Sequence, residues 1–358
     1  MRFLQLWIEQ LWYESGVDTK KNKRRQVLLA LFYPLSLLYK KLVEKLRQDY
    51  LSGKKSSTAI DCPVIVVGNI TVGGTGKTPL VIWLVEQLQQ HGYKPGIVSR
   101  GYGGRAHTFP LLVNQGCDPA LVGDEPAMMA RRLNAPVLID PDRVRGASYL
   151  SEALGCNIIV SDDGLQHYNL KRDIEIAVVD GKRGLGNGLC LPGGPLREPA
   201  QRLETVDFVV INSATNTGVA ETGAVPGLSQ KLVAQSMQMS ILPGKMFSLQ
   251  DKASVVSDPA KDLKQPVHAL AGIGNPSRFF ATLESMGLSF HAHAFPDHYR
   301  YQASDINFAD ELDIVMTEKD AIKCQSFASS RCFYLAVNAQ MGAEFWPRLQ
   351  AKISEVLK

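Results

Sequence analysis

The segment Thr71-Val72-Gly73-Gly74-Thr75-Gly76-Lys77-Thr78 has the residue types and spacing of a phosphate-binding loop. It follows an apolar run at residues 63–68 and precedes an apolar helical pattern, so the expected context is strand, loop and helix. Glycines let the backbone wrap around an anion, and the free N–H groups of the next helix point at it. Lys77 would reach the β- and γ-phosphates, and the Thr78 hydroxyl would hold Mg²⁺. The segment predicts a nucleotide site.

The first position of this loop departs from the usual pattern, which has glycine where this chain has Thr71. Threonine enters positive-φ conformations at a higher cost than glycine does. Gly73 and Gly74 would then supply the flexibility. The alternative is a glycine-rich turn before an ordinary helix.

A second acidic motif follows a short apolar strand pattern at residues 157–160. The strand ends in Asp162 and Asp163, where one carboxylate would join the magnesium shell of a nucleotide. An Asx turn after a core strand is the alternative. His167 lies five residues after Asp162, and a lone histidine is more often structural than functional.

Three further positions could contribute charge to a site. Arg100 follows a short strand and precedes glycines, as in a cradle for a second phosphate or a sugar, although a mobile turn would look the same. Arg197 lies in a long irregular segment, residues 181–199, and is a candidate phosphate clamp. Asp124 and Glu125 stand at a predicted helix start, where they would either cap the helix or act as a base or metal partner.

Other polar residues are less informative. Asn212 ends an apolar strand and is a possible adenine contact. His291 and His293 share one face of a possible strand, but without a third ligand nearby they predict no metal site. His298 follows Asp297, a carboxylate that could orient its imidazole.

The composition fits a protein of a reducing compartment that can bury a large core and that has its basic charge near the start of the chain. Forty-five per cent of the 358 residues are hydrophobic, which is enough to bury a large core in two lobes. The six cysteines are scattered without a CxxC pair, which argues against a zinc ribbon or a disulfide framework. Residues 1–55 carry 12 Lys/Arg against 5 Asp/Glu, so the basic charge is concentrated there.

The amino-terminal region has two amphipathic helical patterns. The first has Leu4, Trp7, Ile8, Leu11 and Trp12 on one stripe, and the second runs from Leu28 to Leu46 after a basic cluster at residues 20–25. Its uncharged part, residues 26–39, would rise only ~21 Å, short of the ~30 Å hydrocarbon core. We therefore expect helices that lie in a membrane interface, held by apolar insertion and basic residues. Packing on the protein core is the alternative.

Strand and helix patterns alternate from residue 56 onwards and predict an α/β fold, a P-loop NTPase-type doubly wound parallel sheet. We expect four regions: amphipathic helices at 1–55, a nucleotide-binding core at 56–214, a connector with exposed strands at 215–266, and a smaller α/β lobe at 267–358. Within the connector, residues 232–239 alternate in the manner of an exposed strand.

Several motifs together resemble one family, the tetraacyldisaccharide 4'-kinases of lipid A biosynthesis. The resemblance runs from the amino-terminal helix to near the end of the chain. The Thr at the first loop position is itself similar to that family's loop. The motifs that carry it are Gly68-Asn69-Ile70-Thr71 to Thr78-Pro79, Ser99-Arg100-Gly101-Tyr102-Gly103, Gly123-Asp124-Glu125-Pro126, Ser161-Asp162-Asp163-Gly164-Leu165-Gln166-His167, Leu196-Arg197-Glu198-Pro199, Gly272-Ile273-Gly274-Asn275-Pro276, Pro296-Asp297-His298-Tyr299 and Thr317-Glu318-Lys319-Asp320.

The resemblance implies a kinase that transfers the γ-phosphate of ATP to the 4'-hydroxyl of a tetraacylated glucosamine disaccharide 1-phosphate, with Mg²⁺. It implies a peripheral or monotopic protein on the cytoplasmic face of a bacterial inner membrane, with a lipid substrate and no nucleic-acid partner. It makes Asp124 the expected catalytic base, paired with His298, and Glu125 a magnesium partner. Lys77 and Arg197 are the other expected catalytic residues, and Arg100 and His167 the expected substrate contacts.

Two other classes remain open. A membrane-associated switch ATPase would need only the loop, Mg²⁺ and a residue that orients water. A non-catalytic nucleotide-binding scaffold would have no use for Asp124, Asp162 and Asp163 together. The second lobe and the long segment 181–199 favour the kinase.

Overall fold

The computed structural model describes residues 8, 11–13, 19–213, 224–251 and 254–358, and for residues 19–24 it describes the backbone alone. Leu4 and Trp7 of the first predicted stripe lie outside the described residues, as do the side chains of most of the basic cluster.

Ten helices are assigned among these residues. They are α1 (Thr19–Leu51), α2 (Lys77–Gln90), α3 (Pro119–Val122), α4 (Asp124–Arg132), α5 (Arg143–Glu152), α6 (Gln230–Gln235), α7 (Pro259–Asp262), α8 (Pro276–Ser285), α9 (Glu318–Cys324) and α10 (Phe345–Val356). Two 3₁₀ turns cover Ala200–Thr205 and Ala303–Ile306, and residues 11–13 are also helical.

Thirteen strands, counted over the same residues, belong to one sheet. They are β1 (Val64–Gly68), β2 (Pro95–Ser99), β3 (Leu111–Val113), β4 (Val137–Ile139), β5 (Ile158–Asp162), β6 (Ile174–Asp180), β7 (Phe208–Ser213), β8 (Met237–Ser248), β9 (Val255–Val256), β10 (Val267–Ala271), β11 (Phe290–Ala294), β12 (Ile314–Thr317) and β13 (Cys332–Met341). Their spatial order is β11-β10-β12-β13-β8-β7-β6-β1-β5-β2-β4-β3, with β9 paired to β8.

The half of the sheet around β1 is doubly wound, as the alternating pattern predicts, and parallel except for its antiparallel edge strand β3. Every residue of β1, β2 and β5 is buried, because helices or long loops cover both faces. Helices α2, α4 and α10 pack on one face, and α5 with the segment around Leu185–Leu203 packs on the other. Strand β1 pairs with β5 on one side and β6 on the other. The loop after β1 therefore lies where the strand order reverses, the usual ligand position in such sheets.

Strand β8 joins the two halves of the molecule. Residues 237–240 pair parallel with β7, and the rest of β8 pairs antiparallel with β13. Beyond β13, strands β12, β10 and β11 are parallel and have apolar clusters of their own on both faces. A second α/β unit thus continues the first sheet.

The prediction of an exposed strand at residues 232–239 is wrong. Ser229 accepts a hydrogen bond from the Leu232 N–H at 3.3 Å and caps a short helix, α6, at residues 230–235. The strand begins at Met237, and the side chains of Met237 and Met239 are buried against the sheet core. Buried and more exposed side chains alternate as in a strand only from Met237 onwards, and the strand that they form is half-buried.

Helix α1 contacts the protein along one face only. Ser36 is buried, while Val27, Leu31, Leu38 and Leu42, on the opposite face, are 56 to 69 % exposed. Among the described residues Arg25–Leu51 is the one helix long and apolar enough to cross a membrane, judged by length and composition. An exposed apolar face of this size fits association with a membrane.

Candidate active site

The predicted phosphate-binding loop connects β1 to α2, in the expected strand–loop–helix order. Gly76 precedes α2 with a φ of 95°, a left-handed conformation that favours glycine. A Cβ on Gly76 would lie 2.5 Å from Nδ2 of Asn212. The Asn212 amide donates a hydrogen bond to the Thr75 carbonyl at 2.9 Å and accepts one from Arg278 at 3.2 Å. Asn212 therefore supports the loop backbone, and its possible adenine contact stays a prediction.

Lys77 and Arg197 meet at the same carboxylate. Nζ of Lys77 is 3.4 Å from Oδ1 of Asp163, and the Arg197 guanidinium donates to Oδ2 at 3.0 Å. Burial alone would raise the pKa of Asp163, but the two cations lower it to about 2. Asp163 also has a φ of 50°, uncommon for a residue other than glycine. The structure thus brings three of the predicted site residues together beside the loop.

Asp162 has the environment of a metal ligand. Its side chain is 1 % exposed, and the Ser99 hydroxyl donates to Oδ2 at 3.0 Å. Oδ1 is buried and has no hydrogen-bond partner among the described residues. Burial and the nearby carboxylates of Glu125 and Asp163 raise the pKa of Asp162, which a cation would reverse.

These residues fit Mg²⁺ of a bound nucleotide better than a metal held by protein alone. No three His, Cys, Asp or Glu side chains form a metal cage in the described parts of the chain. Mg²⁺ is usually held by one or two carboxylates together with phosphate oxygens and water. Asp162, with its unpaired oxygen, and Thr78, in the first turn of α2, could supply the protein share of such a shell.

Asp124 and His298 are in contact although 174 residues separate them along the chain. Oδ2 of Asp124 lies 3.1 Å from Nδ1 of His298. Asp124 is the first residue of α4, whose N-cap is Gly123 with no side-chain cap, so the capping alternative for Asp124 is not supported. Burial alone would raise the pKa of Asp124, but the hydrogen bond from His298 and the charges of Lys323 and Lys319 lower it. Asp124 is therefore a half-buried carboxylate held ionised beside an imidazole.

The second half of the molecule approaches the loop through residues 272–275. A Cβ on Gly274 would be 3.5 Å from the backbone nitrogen of Gly74 and 3.5 Å from Oδ2 of Asp297. Arg183 donates to the Gly274 carbonyl at 3.1 Å. The segment that carries His298 is thus next to the phosphate-binding loop.

Arg100 and His167 lie near each other, and His167 also lies near Asp163, because the charges of both residues act on its imidazole. Arg100 is exposed, His167 is half-buried, and neither side chain has a hydrogen-bond partner among the described residues. Burial and the charges of Arg143 and Arg100 lower the pKa of His167 to about 4, so its imidazole is neutral at pH 7. Their part in substrate binding stays a prediction.

Arg143 is a site residue that the sequence did not reveal. It is 1 % exposed and donates to the carbonyls of Asp140, at 2.6 Å, and Asp162, at 3.2 Å. It therefore fixes the backbone of the acidic motif. Lys319 and Lys323 were also missed, although Lys319 belongs to one of the motifs that carry the resemblance.

Helix α1 is bonded to the irregular segment that flanks the loop. The Gly193 N–H donates to the Ser36 hydroxyl at 2.9 Å, and the Tyr39 hydroxyl donates to the Arg197 carbonyl at 3.2 Å. The same segment reaches the phosphate-binding loop, because the Val72 N–H donates to the Pro195 carbonyl at 2.8 Å. The site is therefore attached to the helix with the exposed apolar face.

The doubly wound sheet carries a phosphate-binding loop, paired aspartates and a separate carboxylate–imidazole pair. Together these features define a P-loop phosphotransferase. The model of one family, tetraacyldisaccharide-1-P 4'-kinase, matches residues 28–355. The chain belongs to this family.

Relatives named tetraacyldisaccharide 4'-kinase match almost the whole chain. The tetraacyldisaccharide 4'-kinase of Hahella chejuensis is 43 % identical over 360 residues, which is 98 % of this chain and 97 % of that protein. The protein of that name from Pseudomonas aeruginosa PAO1 is 44 % identical over 92 % of this chain and 94 % of its own length. A crystal structure of an apo form of LpxK from Aquifex aeolicus in complex with ATP has a TM-score of 0.74 and 28 % identity, covering 91 % of this chain and 99 % of that one.

Proposed function

We propose that this protein transfers the γ-phosphate of ATP to the 4'-hydroxyl of a tetraacylated glucosamine disaccharide 1-phosphate in lipid A biosynthesis. Membership of the family and the ATP bound to the Aquifex structure support the donor and the acceptor class. The observation that carries the proposal is the contact between Asp124 and His298, because a hydroxyl acceptor needs a base next to the phosphate site.

In this proposal the phosphate-binding loop and Lys77 hold the β- and γ-phosphates, and Arg197 neutralises charge that develops during transfer. Asp124 accepts the proton of the acceptor hydroxyl while His298 orients the carboxylate. The hydroxyl oxygen forms a bond to the γ-phosphorus, and the bond from that phosphorus to the bridging oxygen of ADP breaks. Mg²⁺ would be held by Thr78 and Asp162, with Glu125 and Asp163 nearby, and would neutralise phosphate charge.

The proposed location is the cytoplasmic face of a bacterial inner membrane. The exposed apolar face of α1 and the lipid substrate of the family support this placement. Arg100 and His167 would contact the substrate, since His167 feels the charges of both Arg100 and Asp163, and neither side chain has a hydrogen-bond partner among the described residues.

The test is a transfer assay with labelled ATP and the tetraacyldisaccharide 1-phosphate in mixed micelles, followed by lipid extraction. Label should move to the lipid fraction and depend on both the enzyme and the disaccharide. Release of labelled phosphate into water, without labelled lipid, would instead support the switch ATPase.

A further inference from the structure

Helix α9 brings two lysines to the edge of the Asp124–His298 pair. Thr317 caps the helix by accepting a hydrogen bond from the Asp320 N–H at 3.1 Å. Lys319 and Lys323 follow four residues apart, so their side chains leave the helix on one face. Their side chains are only 16 % and 8 % exposed, which is low for lysine.

The ammonium of Lys319 contacts two carboxylates from distant segments. It is 3.5 Å from Oε1 of Glu125 and 3.3 Å from Oδ1 of Asp297. Glu125 follows Asp124 in the chain, and Asp297 precedes His298. The immediate neighbours of the two members of the pair are thus joined by one cation, and we refer to Glu125, Lys319 and Asp297 as the lysine bridge.

We propose that Lys319 is a positioning residue that holds Asp124 and His298 in contact through the lysine bridge. The inference rests on the proposed function, because it assigns a task to Lys319 only if the pair acts on the acceptor hydroxyl. Lys319 touches neither member of the pair within ion-pair distance, so its effect is exerted through their neighbours.

The electrostatics of the region require such a cation. Asp124 and Asp297 have carboxylate oxygens 3.1 Å and 3.9 Å from the His298 imidazole, Glu125 follows Asp124 in the chain, and like charges at short range repel. Lys323 is largely engaged elsewhere, since its Nζ is 2.7 Å from Oδ1 of Asp320 and 3.9 Å from Asp124. Without the Lys319 ammonium, Glu125 and Asp297 would separate and draw Asp124 and His298 apart.

The ammonium itself is held by a rigid frame. Asp320 is fully buried and accepts hydrogen bonds from the Gly272 N–H at 2.8 Å and from the Thr317 hydroxyl at 2.6 Å. Glu318 pairs with Arg132 of α4 at 3.1 Å. These contacts fix α9 against α4 and against the segment that follows β10. Lys319 can therefore fix the distance between the two chain segments.

The experiment compares the full-length enzyme with Lys319→Met, Lys319→Arg and Lys261→Met. Misplacement of a catalytic group by about 1 Å can cost ~10²-fold, so Lys319→Met should lower kcat ~10–10²-fold at saturating ATP. The dissociation constant for ATP should change less than ~3-fold, and Lys319→Arg should recover most of kcat because it keeps the charge. Lys261 is the matched control, an exposed lysine 2.7 Å from Asp258 in the same half of the molecule.

A double-mutant cycle with Asp124→Asn separates positioning from simple structural damage. In the Asp124→Asn background, Lys319→Met should cost less than ~3-fold in kcat, because no working pair is left to position. Losses that multiply would overturn the proposal. So would a ten-fold or larger loss of ATP affinity, which would mean that Lys319 contacts the nucleotide.

Two results distinguish failure of this inference from failure of the proposed function. If Asp124→Asn lowers kcat while Lys319→Met leaves kcat near that of the unmodified enzyme, only the positioning role of the lysine bridge is refuted. A silent Asp124→Asn change would refute the catalytic pair and, with it, any positioning by Lys319. If Lys319→Met does not fold, Lys319→Gln gives the same cycle with a shorter polar side chain.

Discussion

The proposed nucleotide half and the proposed acceptor half of the site are built in different ways. The nucleotide half consists of short contiguous motifs, residues 71–78 and 162–163, at the ends of two adjacent strands. The acceptor half is assembled from Asp124, His298 and Lys319, which come from three separate elements. Local backbone geometry fixes the first half, whereas the second depends on how α4, α9 and the segment after β11 pack together.

The largest effect expected from this comparison is on the acceptor half. Asp124→Asn should lower kcat ~10²–10⁴-fold, the usual contribution of a general base, while ATP affinity changes little. His298→Ala should cost a similar factor, and the double variant hardly more, because paired residues act as one unit. The measurement is kcat at saturating ATP for all three variants. Losses that multiply would show that the two residues act independently.

A smaller loss, of ~10²–10³-fold in kcat, is expected when the nucleotide half loses Lys77. The Lys77→Ala change removes charge from the β- and γ-phosphates, and it should also weaken ATP binding. A change in ATP affinity together with kcat would distinguish this half from the acceptor half. Turnover near that of the unmodified enzyme would contradict the role of the loop.

Outside both halves, the exposed face of α1 should control access to lipid. Leu31→Gln with Leu38→Gln removes two exposed apolar side chains and should weaken binding to anionic vesicles about tenfold or more, without change in ATP affinity. Vesicle sedimentation measures this effect. Leu357, at the other end of the chain, is 54 % exposed, close to the 56 % of Leu38, so Leu357→Gln is the control and should bind vesicles as the unmodified protein does. Unchanged sedimentation of the double variant would place the membrane contact elsewhere.

The smallest effect concerns stability. The pKa of Asp163 is lowered to about 2, below its ordinary value near 3.8, so the ion pairs stabilise the fold above about pH 4 and lose that contribution as the pH falls toward 2. Asp163→Asn should therefore lower the free energy of unfolding by on the order of 1–2 kcal/mol at pH 6, with a smaller difference near pH 3, after allowance for solvent screening.

Urea unfolding at the two pH values measures this difference. Asp258→Asn, an exposed carboxylate paired with Lys261, is the matched control and should show almost none. A difference for Asp163→Asn that stays constant with pH would mean that its ion pairs do not stabilise the fold.

The same comparison shows how much could be predicted from the sequence. The doubly wound fold, the loop at 71–78 and the acidic strand end were predictable, because each is a local pattern of glycines, charges and apolar residues. Asp124 and His298 were paired only through the family resemblance, since nothing in their local sequence points from one to the other.

What could not be predicted depends on contacts between distant elements. Asn212 supports Thr75 across 137 residues, and neither local sequence specifies that hydrogen bond. The task assigned to Lys319 likewise becomes visible only when Glu125 and Asp297 are placed on either side of it. The helix at 230–235 was missed because alternation of apolar residues over so short a window fits either kind of element.

If α1 lies on a membrane as proposed, it would also act as a spacer of fixed thickness. Ser36 and Tyr39, on one face, are bonded to residues 193 and 197, and the exposed leucines lie on the opposite face. A helix with its side chains is ~10–12 Å across. A bilayer that touched the outer face would lie about that far from the backbone of Arg197. A sugar headgroup could then reach the phosphate site while its acyl chains stayed in the bilayer. The diameter of the helix would set the distance between the bilayer surface and the phosphate site.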